Sequence, residues 1–162
     1  MTNAQFQPKC TPSPVQLRKL AALANFLDDL PHRRFHMPRW VSEDATATRC
    51  GTAGCACGWA ATVYAGEGWI IDDGLVWFDR RHGVLAFARF FGIDYTLAYW
   101  ITNGFGNLVT GIPGYRDEFN VEDKDITPAM AAKRIRDVVL MYDPTGQYLD
   151  EPAPVLAERV AP

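Results

Sequence analysis

Leu17, Leu20, Ala24 and Leu27 recur at three- and four-residue steps among polar neighbours, the signature of an amphipathic helix. Ser13-Pro14-Val15-Gln16 starts it, with serine as N-cap, proline at the first helical position and glutamine closing a capping box. The pattern predicts a helix to about Leu30 that stops before Pro31. From Pro31 to Arg49 the periodicity disappears. Phe35, Met37 and Trp40 stand there as apolar anchors among His32, Arg33, Arg34, His36 and Arg39, which reads as a loop pinned by its aromatics.

An alanine-rich run from Ala53 to Ala65, with Thr52 as cap and Gly66 as stop, predicts a second helix, central and buried because Gly54 and Gly58 each weaken a helix unless close packing needs them. Gly68 to Phe78 holds two β-prone runs about Asp72-Asp73-Gly74, a hairpin signal. Gly83 to Phe91 reads as a short helix ended by Gly92, and Asp94 caps another over Tyr95 to Ile101. The glycine-rich stretch from Asn103 to Asn120 reads as a structured loop with Phe105 and Tyr115 tucked in. Thr127-Pro128 opens a last helix carrying Ala131, Ile135, Val138 and Tyr142. The expected fold is therefore α+β and mainly helical: a compact single domain of about five helices with one short β-hairpin, spanning residues 13–142. A flexible lead-in (1–12) and a proline-rich tail (143–162) flank it.

Composition narrows the class without naming a reaction. The 162 residues are 48% hydrophobic and 22% charged, enough for a real core. A net charge of -3 argues against an extensive nucleic-acid surface or attraction to an anionic membrane. No apolar run approaches the ~20 residues that cross a bilayer, and the first residues lack a secretory pattern, so the expected setting is cytoplasmic with reduced thiols.

The chemistry concentrates in Arg49-Cys50-Gly51-Thr52-Ala53-Gly54-Cys55-Ala56-Cys57-Gly58-Trp59-Ala60, which holds three of the four cysteines. As a metal site, with His32 or His36 as a further ligand, it is badly spaced: thiolates two apart on a helix cannot face one ion, so no metal or other cofactor is expected. As a nucleophile, Cys50 or Cys55 would gain acidity from a helix N-terminus and from Arg49. Gly54 to Ala60 is similar to the small-residue, cysteine–tryptophan flank of papain-like proteases, but no histidine carries a catalytic flank. As an anion site, Arg49, Cys50, Gly51, Thr52 and Gly54 form a flexible turn into a helix start whose free N–H groups accept phosphate or carboxylate, with Arg39 and Trp40 alongside. The run matches neither a Walker loop nor a dinucleotide fingerprint. Against all three stands simple packing, with Cys55 and Cys57 as small core residues.

Phe35-His36-Met37-Pro38-Arg39-Trp40, followed by Cys50-Gly51-Thr52-Ala53-Gly54-Cys55 and Gly58-Trp59-Ala60, resembles a pattern in a group of small phage and bacterial proteins with no established activity. Phe90-Phe91-Gly92-Ile93-Asp94 and Thr127 to Ile135 are similar to that group's later helices. The resemblance implies a phage or bacterial cytoplasmic setting and brings no site with it. Arg80-Arg81-His82 reads as a solvated charged turn, Lys133, Arg134 and Arg136 as the wet face of the last helix, and Phe90, Phe91, Tyr95, Tyr99 and Trp100 as mostly core. The reading that combines these features is a non-enzymatic binding protein, holding a small anionic, nucleotide-like ligand or a host protein near the Arg49–Gly54 turn. A cysteine-dependent enzyme using Cys50 or Cys55 is the alternative. Oligomeric state is left open.

Overall fold

A computed structural model describes residues 9–35, 55–72, 75–103 and 126–156. Among them lie five α-helices and a three-stranded antiparallel sheet, a mainly helical α+β fold.

Helix α1 (Pro14–Asp28) begins as its sequence dictates. Ser13 Oγ accepts from the Gln16 N–H, and Gln16 Oε1 accepts from the Ser13 N–H at 2.9 Å. It ends at Asp28, two residues before the expected Leu30, with Asp29 as C-cap. Helix α2 (Ala56–Val63) departs further from expectation. Cys55 is extended, with ψ 180°, so it is the N-cap and α2 begins at Ala56, while the expected start at Thr52–Ala53 lies outside the described residues. The far end also differs: a 3-10 turn over Ala65–Glu67 follows, and the left-handed glycine is Gly68 (φ 94°), not Gly66. A cysteine cap has no strong acceptor to announce itself, so composition alone misplaces this boundary.

The hairpin forms between β1 (Ile70–Asp72) and β2 (Leu75–Phe78), pairing Ile70 with Trp77 and Asp72 with Leu75. A third strand, β3 (Arg81–His82), joins β2 with Phe78 opposite Arg81, where the sequence pattern predicts only a charged turn. The link is a tight turn with Asp79 at φ 49° and Arg80 at φ 62°. Positive φ at both central positions is the geometry normally signalled by Asn-Gly, a signal that Asp-Arg does not carry.

Helix α3 (Gly83–Phe91) stops at Gly92 (φ 64°), and α4 (Tyr95–Asn103) is capped by Asp94, whose carboxylate accepts from the Thr96 N–H at 3.3 Å. Helix α5 (Pro128–Tyr142) starts at Thr127, whose hydroxyl accepts from the Met130 N–H. Helices α1 and α5 pack along each other, α3 packs on α4 and the sheet, and α2 touches α1, α3, α4 and β2. The core runs through Leu20, Leu23, Leu27, Trp59, Phe87, Phe91, Trp100 and Ile135.

One charged residue sits differently from the sequence pattern. Arg134, placed on the wet face of α5, is fully buried, with its guanidinium 5.6 Å from the Trp100 ring, because α5 is covered by both α1 and α4. Arg136 does lie at the surface, bonded to Asn25 and Asp28 of α1. Beyond Asp143, residues 148–151 lie back on α1: Asn25 donates to the carbonyls of Leu149 and Glu151 at 3.0 and 2.6 Å, and the Arg18 guanidinium lies 5.7 Å from the Tyr148 ring centre. Among the described residues no single helix is long and apolar enough to cross a membrane.

Candidate functional site

Of the residues singled out from sequence, Arg39, Trp40, Arg49, Cys50, Gly51, Thr52 and Gly54 lie outside the described residues. So does the 104–120 part of the glycine-rich loop. What is described is the frame on which the cysteine run and the loop before it begin and end: the basic turn at 32–35 on one side and Cys55 with α2 on the other.

His32–Arg34 form a 3-10 turn closed by the Arg34 N–H to the Pro31 carbonyl at 2.9 Å and the Phe35 N–H to the His32 carbonyl at 2.9 Å. Pro31 fixes its entry, and Phe35, 3% exposed, plugs its exit into the core. Trp59 of α2 then grips the turn. Its indole N–H donates to the Arg34 carbonyl at 3.0 Å, while the Arg34 guanidinium stacks 5.0 Å from the Trp59 ring centre. Phe26 of α1 tilts against the same indole at 5.4 Å. The start of the basic loop and the cysteine helix therefore meet at Arg34 and Trp59, 25 residues apart along the chain. Trp59 was legible only as part of the cysteine run; its role as anchor follows from the turn it holds.

The described start of α2 is sealed. Cys55, Ala56, Cys57 and Ala60 are each 0% exposed. Burial pushes the Cys55 thiol up to about 11, outweighing the backbone N–H groups of Gly58 and Cys57 that favour its thiolate. Burial also drives Cys57 well above its ordinary value, and the neighbouring Cys55 adds to the shift. The Cys57 thiol donates to the Gly83 carbonyl at 3.5 Å, tying α2 to the first turn of α3. Both sulfurs are protonated at neutral pH and surrounded by protein. The two described histidines take no part: His32 lies in the basic turn, and His82 stacks on Trp77 at 5.1 Å. A thiol in this setting packs and does not attack. Among the described residues no group of three His, Cys, Asp or Glu side chains is placed to hold a metal.

Arg34 carries an unsatisfied donor in this frame. Its Nε is buried with no hydrogen-bond partner among the described residues, while the side chain as a whole remains half-exposed. A guanidinium held by stacking, with an N–H left over, is suited to carboxylate or phosphate oxygens. His32 and Arg33, both exposed, add donors on the same turn. No known protein family matches the chain, nor does any curated protein or solved structure.

Proposed function

We propose that the chain is a non-enzymatic binding protein that holds a small anionic ligand at the basic turn packed against α2. The observation that carries this reading is Arg34. Its guanidinium is fixed over Trp59 and its buried Nε lacks a hydrogen-bond partner among the described residues, so a ligand oxygen admitted beside it would satisfy that donor. The sequence adds Arg39, Trp40, Arg49 and the Cys50–Gly54 turn as further contacts. A phosphate-bearing ligand with a stackable ring, such as a signalling nucleotide, fits that mix of guanidinium and indole groups. It also fits the phage or bacterial setting implied by the resemblance, as would an acidic surface of a host protein. The cysteine-dependent alternative loses Cys55, whose thiol is buried and protonated.

Thermal denaturation against a panel of inorganic phosphate, nucleoside mono- to triphosphates and cyclic nucleotides tests the proposal. A bound ligand at a hundred times its Kd adds about 2.7 kcal/mol of stability. Arg34→Gln, which keeps the stem over Trp59, and Arg49→Ala should each suppress the rise in Tm. A panel that moves nothing removes the small-anion reading and leaves the host protein as ligand, to be sought by native mass spectrometry of freshly purified protein.

A further inference from the structure

A second surface stands apart from the basic turn. An open groove of about 450 Å³ runs along α3, from Arg81 of β3 past Leu85, Ala88 and Arg89 to Gly92 at the helix end and Tyr95 at the start of α4. Leu85, Ala88, Arg89 and Gly92 recur at three- and four-residue steps and so line one stripe of α3, about 10 Å long from Leu85 to Gly92 at the rise of an α-helix, with Arg81 and Tyr95 beyond its two ends. Thr11 and Cys10 of the lead-in form part of the facing wall.

That wall is anchored. The Lys9 N–H donates to Asp94 at 3.0 Å, and Gln16 bridges the two sides by accepting from the Ser13 N–H and donating to the Phe90 carbonyl at 3.0 Å. Gly92 lets the sides approach, because a Cβ there would lie 2.6 Å from Gln16 Oε1. The trough is thus shaped by contacts within the fold, as preformed binding grooves are.

Its lining combines two chemistries. Leu85 and Tyr95 are 43% and 50% exposed, apolar area left facing water at separate points along the groove. Arg81 makes no ion pair among the described residues, and Arg89 meets only Asp79, at 2.8 Å, in a pair whose side chains are 62% and 52% exposed. Such a pair contributes little and yields readily to another carboxylate. The chain is acidic overall, so this local excess of cation is a departure from its average. Length, openness and alternation of charge with apolar surface suit a segment of three or four extended residues, at about 3.3 Å each, better than a compact ion that fills one point.

We infer that the α3 groove docks an acidic, extended peptide segment of a partner protein, its carboxylates on Arg81 and Arg89 and its apolar side chains against Leu85 and Tyr95. Charge complementarity selects the partner, and the two apolar contacts add area to the interface. This site does not depend on the Arg34 turn, so either can fail without the other.

The test uses the full chain and a fluorescein-labelled, N-acetylated peptide Asp-Leu-Asp-Phe-Asp, with Asn-Leu-Asn-Phe-Asn as its uncharged counterpart. Fluorescence anisotropy measures affinity and amide NMR locates the contact. The expected result is binding of the acidic peptide, weakened up to about fivefold by Arg81→Ala or Arg89→Ala alone and further by the double variant. Shifts should fall on residues 85–95, and Leu85→Ala should weaken binding without altering the melting curve. Equal binding of the two peptides, no binding at millimolar peptide, or shifts elsewhere would overturn the inference. Shifts of the same ridge by inorganic phosphate or a nucleotide but not by the peptide would overturn it too, reassigning the groove to a small anion.

Discussion

Helices α2 and α3 are both short, apolar and adjacent, joined by the Cys57 thiol on the Gly83 carbonyl, yet they serve opposite ends. The first six residues of α2 are all buried, so its small side chains are what surrounding elements can tolerate: every face meets protein. Helix α3 buries Val84, Phe87, Phe90 and Phe91 but turns Leu85 and Arg89 outward. The lesson concerns where unusual chemistry belongs. The cysteine run draws the eye, but its described thiols are buried in the packing, whereas the proposed recognition groups are arginines outside that run.

The contrast can be broken most forcefully at Trp59. Trp59→Ala removes a buried indole, a hydrogen bond and the seat of Arg34, and should cost about 3–5 kcal/mol by denaturant unfolding. Loss of less than about 1 kcal/mol would mean that α2 is not the packed frame described. Next in size is Gly92→Ala, which forces a side chain into a left-handed conformation and against Gln16, at a cost of about 1–2 kcal/mol for the backbone alone. The double variant Gly92→Ala with Gln16→Ala should recover the steric part and none of the backbone part.

A third test uses proton linkage. The folded chain keeps the Cys55 proton where the unfolded chain has released it, so the unfolded state binds fewer protons between about pH 9 and 11. Stability should be insensitive to this group below that window and fall through it, by up to about 1.4 kcal/mol per pH unit. Cys57 and Tyr64, whose burial also raises them, act in the same direction, so the Cys55 share is the difference between wild type and Cys55→Ala. Smallest of all should be Leu85→Ala and Asp79→Asn on the α3 side, each within about 0.5 kcal/mol, since both positions face solvent and asparagine keeps the left-handed turn at 79. A large loss at either would make that ridge structural and remove the contrast.

Much of this fold was legible because its signals are local. Ser13-Pro14, Asp94 and Thr127-Pro128 announce helix starts through hydrogen bonds made within one turn, and Gly92 marks a stop through its own φ. The third strand was not legible, since Asp79 and Arg80 adopt a glycine-like turn that Asp-Arg does not signal. Arg134 misleads for a related reason: periodicity predicts one wet face, but α5 is covered on more than one side. The candidate site was half legible. Basic residues and the cysteine run stand out along the chain, but their junction depends on the Trp59 to Arg34 hydrogen bond, a contact distant in sequence.

The central claim, that the start of α2 is sealed scaffold and not a reactive centre, is tested most directly by residue-resolved thiol labelling of the native protein at pH 8. Cys10, which is exposed, should label at the rate of an ordinary free thiol, and Cys55 and Cys57 at least about a hundredfold more slowly, becoming reactive only when the protein is unfolded. Labelling of Cys55 or Cys57 as fast as Cys10 in the folded protein would contradict the account and make the helix start a candidate nucleophile again.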